Sequence, residues 1–165
     1  MGTVSSKLAS LGLTLPGPIK LPPGVVLPFR FVNIRGEHAF ISGHGPVHAD
    51  GTLARPFGKL GRELTVEQGY KAARLTALAI LGNLERELGD LDRIRAWTRV
   101  FGMVNSAPGF NQQPLVINGF SDLILELFGL DRGAHARSAV GMAELPFDLP
   151  FDLPVEIEAV VEIDP

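Results

Sequence analysis

One segment in the middle of the chain predicts a long amphipathic helix, and the rest of the fold must be arranged around it. Thr65 and Gln68 form a capping box at the start of residues 66–88, and Gly89 provides a stop at their end. Apolar residues recur at helical spacing at Leu75, Leu78, Ile80, Leu81, Leu84 and Leu88. An apolar stripe of this width has to be buried, so we expect a second layer of structure against it.

The segment before this helix predicts an extended arm followed by a hairpin. Residues 15–28 contain five prolines, which favour an extended conformation. Residues 29–35 and 38–42 alternate in polarity around a tight turn, which is typical of a β-hairpin. We therefore divide the chain into an N-terminal arm, residues 1–28, and a single domain, residues 29–165.

Strand and helix patterns alternate after the long helix. Residues 93–104 predict a third strand, and Pro114 suits the first turn of a second helix that stops at Gly129. The last two strands are expected near 137–144 and 155–163. The order ββαβαββ indicates an α/β (α+β) fold, a mixed sheet with two helices on one face. Because the other face also carries Ala, Val and Phe, it predicts a partner subunit.

Composition narrows the classes of function. A net charge of −3 without a basic run argues against a nucleic-acid partner, and the absence of cysteine excludes thiol chemistry. The apolar stretch after Lys7 is too short and polar for a signal peptide or membrane span, so we expect a cytoplasmic protein with no membrane partner. Gly45 and Pro46 prevent His44 and His48 from forming a helical pair, so no metal site is expected.

The two C-terminal strand patterns carry residues suited to binding a small acid. Arg137 lies at the start of the first, and Glu156, Glu158 and Glu162 lie on one side of the second. A guanidinium presents a planar fork for a carboxylate, and a glutamate can take or give a proton. Between these strands, residues 146–154 read PFDLPFDLP, a tandem duplication that we interpret as a longer loop.

With these elements in order, the chain resembles the RidA (YjgF-like) family, also known as L-PSP endoribonucleases. The resemblance covers about residues 24–163 and rests on the ordered set rather than on any one motif. The motifs are ISG (41–43), LGDLD (88–92), VF (100–101), ARS (136–138), LP (145–146) and VEIEA (155–159). This resemblance implies a chorismate-mutase-like fold and a homotrimer with ligand sites in the clefts between subunits.

The resemblance also implies an activity and a set of site residues. Family members hydrolyse reactive enamines and imines, such as 2-aminoacrylate, to a 2-keto acid and ammonia, without a metal or organic cofactor. The arginine that grips the substrate carboxylate corresponds to Arg137. The glutamate associated with the attacking water corresponds to Glu156 when one duplicated loop unit is skipped. Further substrate contacts correspond to Ser42, Gly43 and Asn118.

Two positions depart from the family pattern, and a third extends the expected cleft. The family tyrosine near the first strand is Phe29 here, so its hydroxyl is missing, and the cysteine two residues after the arginine is Ala139. His44 follows the Ser-Gly pair and is expected to line the cleft. The leading prediction is an imine deaminase. A non-catalytic trimer that binds small carboxylates and an endoribonuclease or translation inhibitor remain open alternatives.

Overall fold

The computed structural model describes residues 2–146 and 152–164. The predicted loop duplication therefore lies largely outside the described residues, since residues 147–151 are not among them. Within the described ranges the α-helices and strands are α1 (Thr3–Ser10), β1 (Val32–Arg35), β2 (His38–His44), α2 (Val66–Leu88), β3 (Ile94–Asn105), α3 (Gln113–Gly133), β4 (Ala136–Met142) and β5 (Val155–Ile163).

The strands form one mixed sheet in the order β1-β2-β5-β3-β4. β1 with β2, β2 with β5, and β3 with β5 are antiparallel, whereas β3 and β4 are parallel. The chain passes through α3 between β3 and β4, because a parallel pair needs a crossover connection. This architecture confirms the predicted α+β fold class and the predicted hairpin, except that the first strand begins at Val32 and not at residue 29.

The capping box that the sequence predicts fixes the start of α2. The Thr65 hydroxyl oxygen accepts a hydrogen bond from the Gln68 backbone N–H at 3.2 Å, and the Gln68 side chain accepts one from the Thr65 N–H at 2.9 Å. Gly89 ends the helix with a φ of 77°, a conformation that costs glycine little. Local signals therefore define both ends of α2, and its predicted bounds are confirmed.

The hydrophobic core lies between the helices and one face of the sheet. In β5, alternate residues point into it, and Val155, Ile157 and Val161 are buried completely. Trp97 in β3 is 1% exposed and makes edge contacts with aromatic rings of α3. The opposite face of the sheet, which we call the open face, carries the intervening residues of β5, beginning with Glu156.

Two elements extend further than the sequence predicts. α3 continues to Gly133, but Gly129 has non-helical angles (φ 74°, ψ 177°), so the predicted stop marks a break in the helix. β2 continues past Ser42 to His44 because a β-bulge after Ile41 lets the strand stay paired with β5. The bulge changes the direction of the strand end, where several of the predicted site residues lie.

The N-terminal arm packs against the domain. Val4 and Leu8 of α1 belong to the hydrophobic core. Further along the arm, the Gly17 N–H donates to the Ala49 carbonyl at 3.1 Å. The arm therefore runs beside the loop that follows β2, and the division of the chain at residue 28 stays a prediction.

Candidate functional site

The sequence-predicted site residues fall into two groups on opposite faces of the sheet. Arg137 pairs in register with Val100, which is buried on the helix side. Glu156 pairs with Met103 and alternates with residues that point into the core, so it faces the other way. Within one chain, the guanidinium and the carboxyl group proposed to act together are therefore separated by the sheet.

Asn118 and Ser121 of α3 hold the Arg137 guanidinium in place. Arg137 Nη1 donates to Asn118 Oδ1 at 2.9 Å and to Ser121 Oγ at 3.0 Å, and Nη2 donates to the Pro114 carbonyl at 3.4 Å. Burial lowers the pKa of Arg137, and nearby Asp122 opposes that shift. An arginine stays charged in proteins, so these neutral oxygens fix the position of a cation without neutralising it.

A histidine that sequence reasoning missed extends this cluster. His135 Nδ1 lies 2.7 Å from the Gly133 carbonyl, and Nε2 lies 2.9 Å from Ser121 Oγ. The carbonyl can only accept, so Nδ1 carries the proton and Nε2 accepts from the serine hydroxyl. Ser121 Oγ is then free to accept from Arg137. The spacing of Asn118 and Ser121, three residues apart on one helix face, was the available signal.

Glu156 lies beside a cavity of about 310 Å³ at the end of β2 and the start of β5. Its side chain is half-buried, and burial raises the pKa of its carboxyl group, with nearby Glu158 adding to the shift. Among the described residues, no side chain forms a hydrogen bond or an ion pair with this carboxyl group. An unpaired carboxyl with a raised pKa is suited to exchange a proton with a bound molecule.

Gly43 allows Glu156 to approach the β2 backbone. A Cβ atom at Gly43 would lie 2.0 Å from Glu156 Oε1, so any larger residue there would force the Glu156 side chain out of its present position. Ser42 is occupied in the fold, since its hydroxyl donates to the Arg30 carbonyl at 2.8 Å and its N–H donates to the Phe31 carbonyl at 3.0 Å. Its hydroxyl oxygen keeps the capacity to accept a further hydrogen bond.

His44 is fixed as a neutral imidazole in the cavity wall. It is 5% exposed, with Nδ1 2.6 Å from the Ser42 carbonyl and Nε2 2.7 Å from Asn83 Nδ2. Burial lowers the pKa of His44 to about 4; its hydrogen bond to Ser42 opposes this shift, and the charge of Arg86 adds to it. Arg86 also donates to Asn83 Oδ1 at 2.7 Å and so orients the amide. Asn83 and Arg86 had no signal in the sequence beyond their polarity.

Phe29 lies where this cavity meets the open face. Its ring is 5.6 Å from that of Phe31, which in turn lies 5.0 Å from the His44 ring. Phe29 is 50% exposed and lines both the cavity and a shallower depression on the open face. The open face also exposes Phe40 (46%) and Val140 (37%). An exposed apolar surface of this kind is suited to a protein partner.

The described residues offer neither a metal-binding cluster nor a membrane-spanning helix. Among residues 2–146 and 152–164, no cluster of three or more histidine, aspartate or glutamate side chains could hold a metal ion. No helix in the same ranges is long and apolar enough to cross a membrane.

Sequence comparison identifies the class of protein to which this fold and these site residues belong. Residues 5–149 match the family described as "YjgF/chorismate mutase-like, putative endoribonuclease", and the chain belongs to that family. The predicted family is thus confirmed. Protein TCP17 of Trypanosoma cruzi is 39% identical over 165 residues, which cover 99% of this chain and 96% of that protein.

Solved structures show the same relationship. Protein Atu1372 from Agrobacterium tumefaciens, of unknown function, is 39% identical with a TM-score of 0.84, covering 99% of this chain and 93% of that one. A "putative endoribonuclease" from Shewanella oneidensis is 30% identical with a TM-score of 0.85, covering 98% and 100%. Escherichia coli TdcF with bound serine shares the fold at 20% identity, a TM-score of 0.56 and coverage of 90% and 99%.

Proposed function

We propose that this protein is a deaminase that hydrolyses small 2-imino acids, or the enamines that tautomerise to them, to 2-keto acids and ammonia. The observation that carries the proposal is the Arg137 guanidinium, which is half-buried and held by neutral oxygens on α3. A fixed and unneutralised guanidinium can form two parallel hydrogen bonds with a substrate carboxylate. Membership of the YjgF family supports the same class of reaction.

The active site proposed here needs more than one protomer. Arg137 and Asn118 lie on the helix side of the sheet, whereas Glu156, Gly43 and Phe29 lie at the other face and its end. We propose a homotrimer in which Arg137 of one protomer meets Glu156 of the next in an inter-subunit cleft. A closed cyclic assembly would also bury the exposed apolar residues of the open face. Sedimentation that shows a stable monomer at micromolar concentration would contradict this assembly.

The proposed reaction uses only water and side chains of the protein. Arg137 holds the carboxylate, and Glu156 takes a proton from the water as its oxygen bonds to the imine carbon. The C=N π electrons move to nitrogen, which takes the proton that Glu156 has just accepted, to give a tetrahedral carbinolamine. Glu156 then accepts the hydroxyl proton and passes it to the same nitrogen, the C–N bond breaks, and ammonia leaves as the C=O bond of the keto acid forms. Positioning and charge complementarity would supply most of the acceleration.

Substitution of Arg137 tests the proposed carboxylate site. A lysine offers a point charge on a flexible stem and cannot replace the planar fork. Arg137→Lys and Arg137→Ala should therefore both lose affinity for pyruvate, a product analogue, by about 2–5 kcal/mol. Calorimetric titration measures this loss, and circular dichroism shows whether each variant is folded. Arg95→Ala, at a solvent-exposed arginine of β3, is the control. If Arg137→Lys binds pyruvate as tightly as the parent protein, the arginine is structural.

Two alternatives give different results in the same experiments. A non-catalytic carboxylate-binding trimer is favoured by the missing hydroxyl at Phe29, and it would bind pyruvate without hydrolysing imines. An endoribonuclease is favoured by the description of the family and of the Shewanella relative. A net charge of −3 is unfavourable for binding RNA phosphates, so salt-dependent RNA binding and cleavage would be needed to support it.

A further inference from the structure

The cavity beside Glu156 has a mostly apolar wall, and part of that wall comes from the N-terminal arm. Ile19, Leu21 and Leu27 of the arm line it, as do Val47 and Leu53 from the loop after β2. The three arm residues are half-buried, so their side chains have neighbours in the domain but still border open space. An apolar concavity bordered by a few polar groups is the usual form of a small-molecule pocket.

The polar groups of this cavity are almost all engaged. His44 and Asn83 are hydrogen-bonded to each other, and the second ring nitrogen of His44 is paired with a backbone carbonyl. In the described part of the chain, the Glu156 carboxyl group is the cavity-lining side chain that has a polar end and no hydrogen-bond partner. The cavity therefore suits a molecule with an apolar body and one polar end, with the polar end at Glu156.

The arm wall is anchored, so the cavity exists before a ligand enters. Arg86 Nη1 of α2 donates to the Pro16 carbonyl at 2.9 Å, and the Gly17 N–H donates to the Ala49 carbonyl. A preformed apolar wall needs little ordering when it binds a ligand, which favours affinity. The volume of about 310 Å³ is at the low end of the range of about 300–1,000 Å³ for small-molecule pockets.

We infer that this cavity takes the side chain of the substrate and selects imino acids with a branched aliphatic or aromatic side chain. The inference rests on the proposed function, because the carboxylate and imine are placed by Arg137 and Glu156. The methylene group of 2-aminoacrylate would leave most of the cavity empty, whereas an isobutyl or benzyl group would contact the arm residues. Each further buried carbon should tighten binding about fourfold, which is the equivalent of about 0.8 kcal/mol.

A graded series of 2-keto acids tests the inference on the full chain. The probes are pyruvate, 2-oxobutanoate and 4-methyl-2-oxopentanoate, each titrated calorimetrically. The last has three more carbons than pyruvate and should bind about 50-fold more tightly. Leu21→Ser and Leu27→Ser should each reduce that ratio several-fold and leave pyruvate affinity nearly unchanged. Val26→Ser is the matched control, because Val26 lies on the same arm, is 87% exposed and does not line the cavity.

The outcomes separate this inference from the proposed function. If all three acids bind with equal affinity, the selection for apolar side chains is wrong and the carboxylate site stands. If the gradient is present but Leu21→Ser, Leu27→Ser and Val26→Ser all leave it intact, the side chain binds elsewhere. If no 2-keto acid binds, the proposed function fails, and the inference that rests on it fails too.

Discussion

The two regions that carry the proposed chemistry differ in the groups that surround their ionisable side chain. At Arg137, polar groups of α3 surround a cation with hydrogen bonds, and the side chain stays accessible to a ligand. At Glu156, an apolar enclosure surrounds a carboxyl group that no described side chain pairs with. Burial favours the neutral form of both side chains, so it lowers the pKa of Arg137 and raises the pKa of Glu156.

This difference assigns a different task to each region. An arginine whose pKa is lowered remains charged at any physiological pH, so it can only hold an anion. A glutamate whose pKa is raised comes closer to the pH at which it exchanges protons readily. One region is therefore suited to binding and the other to proton transfer. Their location on opposite faces of the sheet makes association of protomers part of the proposed mechanism.

The largest expected effect is on turnover in the Glu156→Gln variant, which removes the proposed proton acceptor and leaves the Arg137 region unchanged. The amide keeps the shape of the side chain but cannot accept the proton from water, so the imine-hydrolysis rate should fall by about 10²–10⁴-fold. Pyruvate affinity should persist, because the carboxylate is held by Arg137. Rates and titrations on the purified variant measure both. Glu162→Gln, further along β5 and away from the cavity, is the control.

The pH profile sharpens the same test. Because the pKa of Glu156 is raised, the parent protein should lose activity on acidification at a higher pH than an ordinary glutamate would give. The residual activity of Glu156→Gln should lack this acidic limb. If the variant retains full turnover, Glu156 does not act in the reaction, and the contrast between the two regions is only structural.

The next largest effect is on the pH dependence of stability, and it reports how completely His44 is shielded from water. Burial lowers the pKa of His44 from 6.5 to about 4, so the unfolded chain binds the proton more readily than the folded protein. The stability from this histidine is fully present above pH 6.5 and is lost as the pH falls toward 4. It amounts to about 3 kcal/mol in the free energy of unfolding.

Urea unfolding at several pH values measures this contribution. His44→Gln should be less stable at neutral pH, because it loses the pairing with Asn83, but its stability should depend less on pH between 7 and 4. His135→Gln is the matched variant in the Arg137 region. Burial also lowers the pKa of His135, but that residue is less buried, so its removal should flatten the profile less. Equal profiles for parent and His44→Gln would mean that water reaches His44.

The parts of the fold that the sequence predicts well are those encoded by neighbouring residues. The capping box and Gly89 define α2, and the alternation in residues 155–163 identifies the face of β5 that is buried. The family resemblance assigns Arg137 and Asn118 separately to the substrate site, and the structure shows that their side chains are hydrogen-bonded. Their roles in binding remain predictions.

The parts that could not be predicted depend on contacts between distant segments. His44 and Asn83 are 39 residues apart in sequence, and no local pattern indicates that their side chains meet. The bulge after Ile41 depends on how β2 pairs with β5, which the sequence of β2 alone does not specify. The arm was predicted as an extended segment, but its apolar residues are informative only once the cavity beside them is known.

The smallest expected effect concerns a buried lysine that is connected by hydrogen bonds, through Asn105, to Leu153 in the cavity wall. Lys59 is 9% exposed, and its Nζ donates to Asn105 Oδ1 at 2.7 Å and to the Ala143 carbonyl. Asn105 Nδ2 donates in turn to Asp152 Oδ1 at 2.6 Å and to the Leu153 carbonyl at 3.0 Å. Lys59 and Asn105 therefore bind residues on both sides of 147–151, and Leu153 lines the cavity.

Replacement of Lys59 by methionine should affect the cavity and leave the carboxylate site unchanged. Lys59→Met keeps most of the side-chain volume but leaves the buried side-chain oxygen of Asn105 without this donor and removes the ion pair with Glu144, so the free energy of unfolding should fall by about 1–3 kcal/mol. Lys71→Met, which removes an exposed helical ion pair with Glu67, should leave the free energy of unfolding nearly unchanged and is the control. Asn105, which donates to the Leu153 carbonyl, would no longer be held by Lys59. Lys59→Met should therefore prefer 4-methyl-2-oxopentanoate over pyruvate less strongly than the parent protein does, while its affinity for pyruvate persists. If the two lysine variants are equally stable and keep the same preference, the network contributes nothing to the cavity.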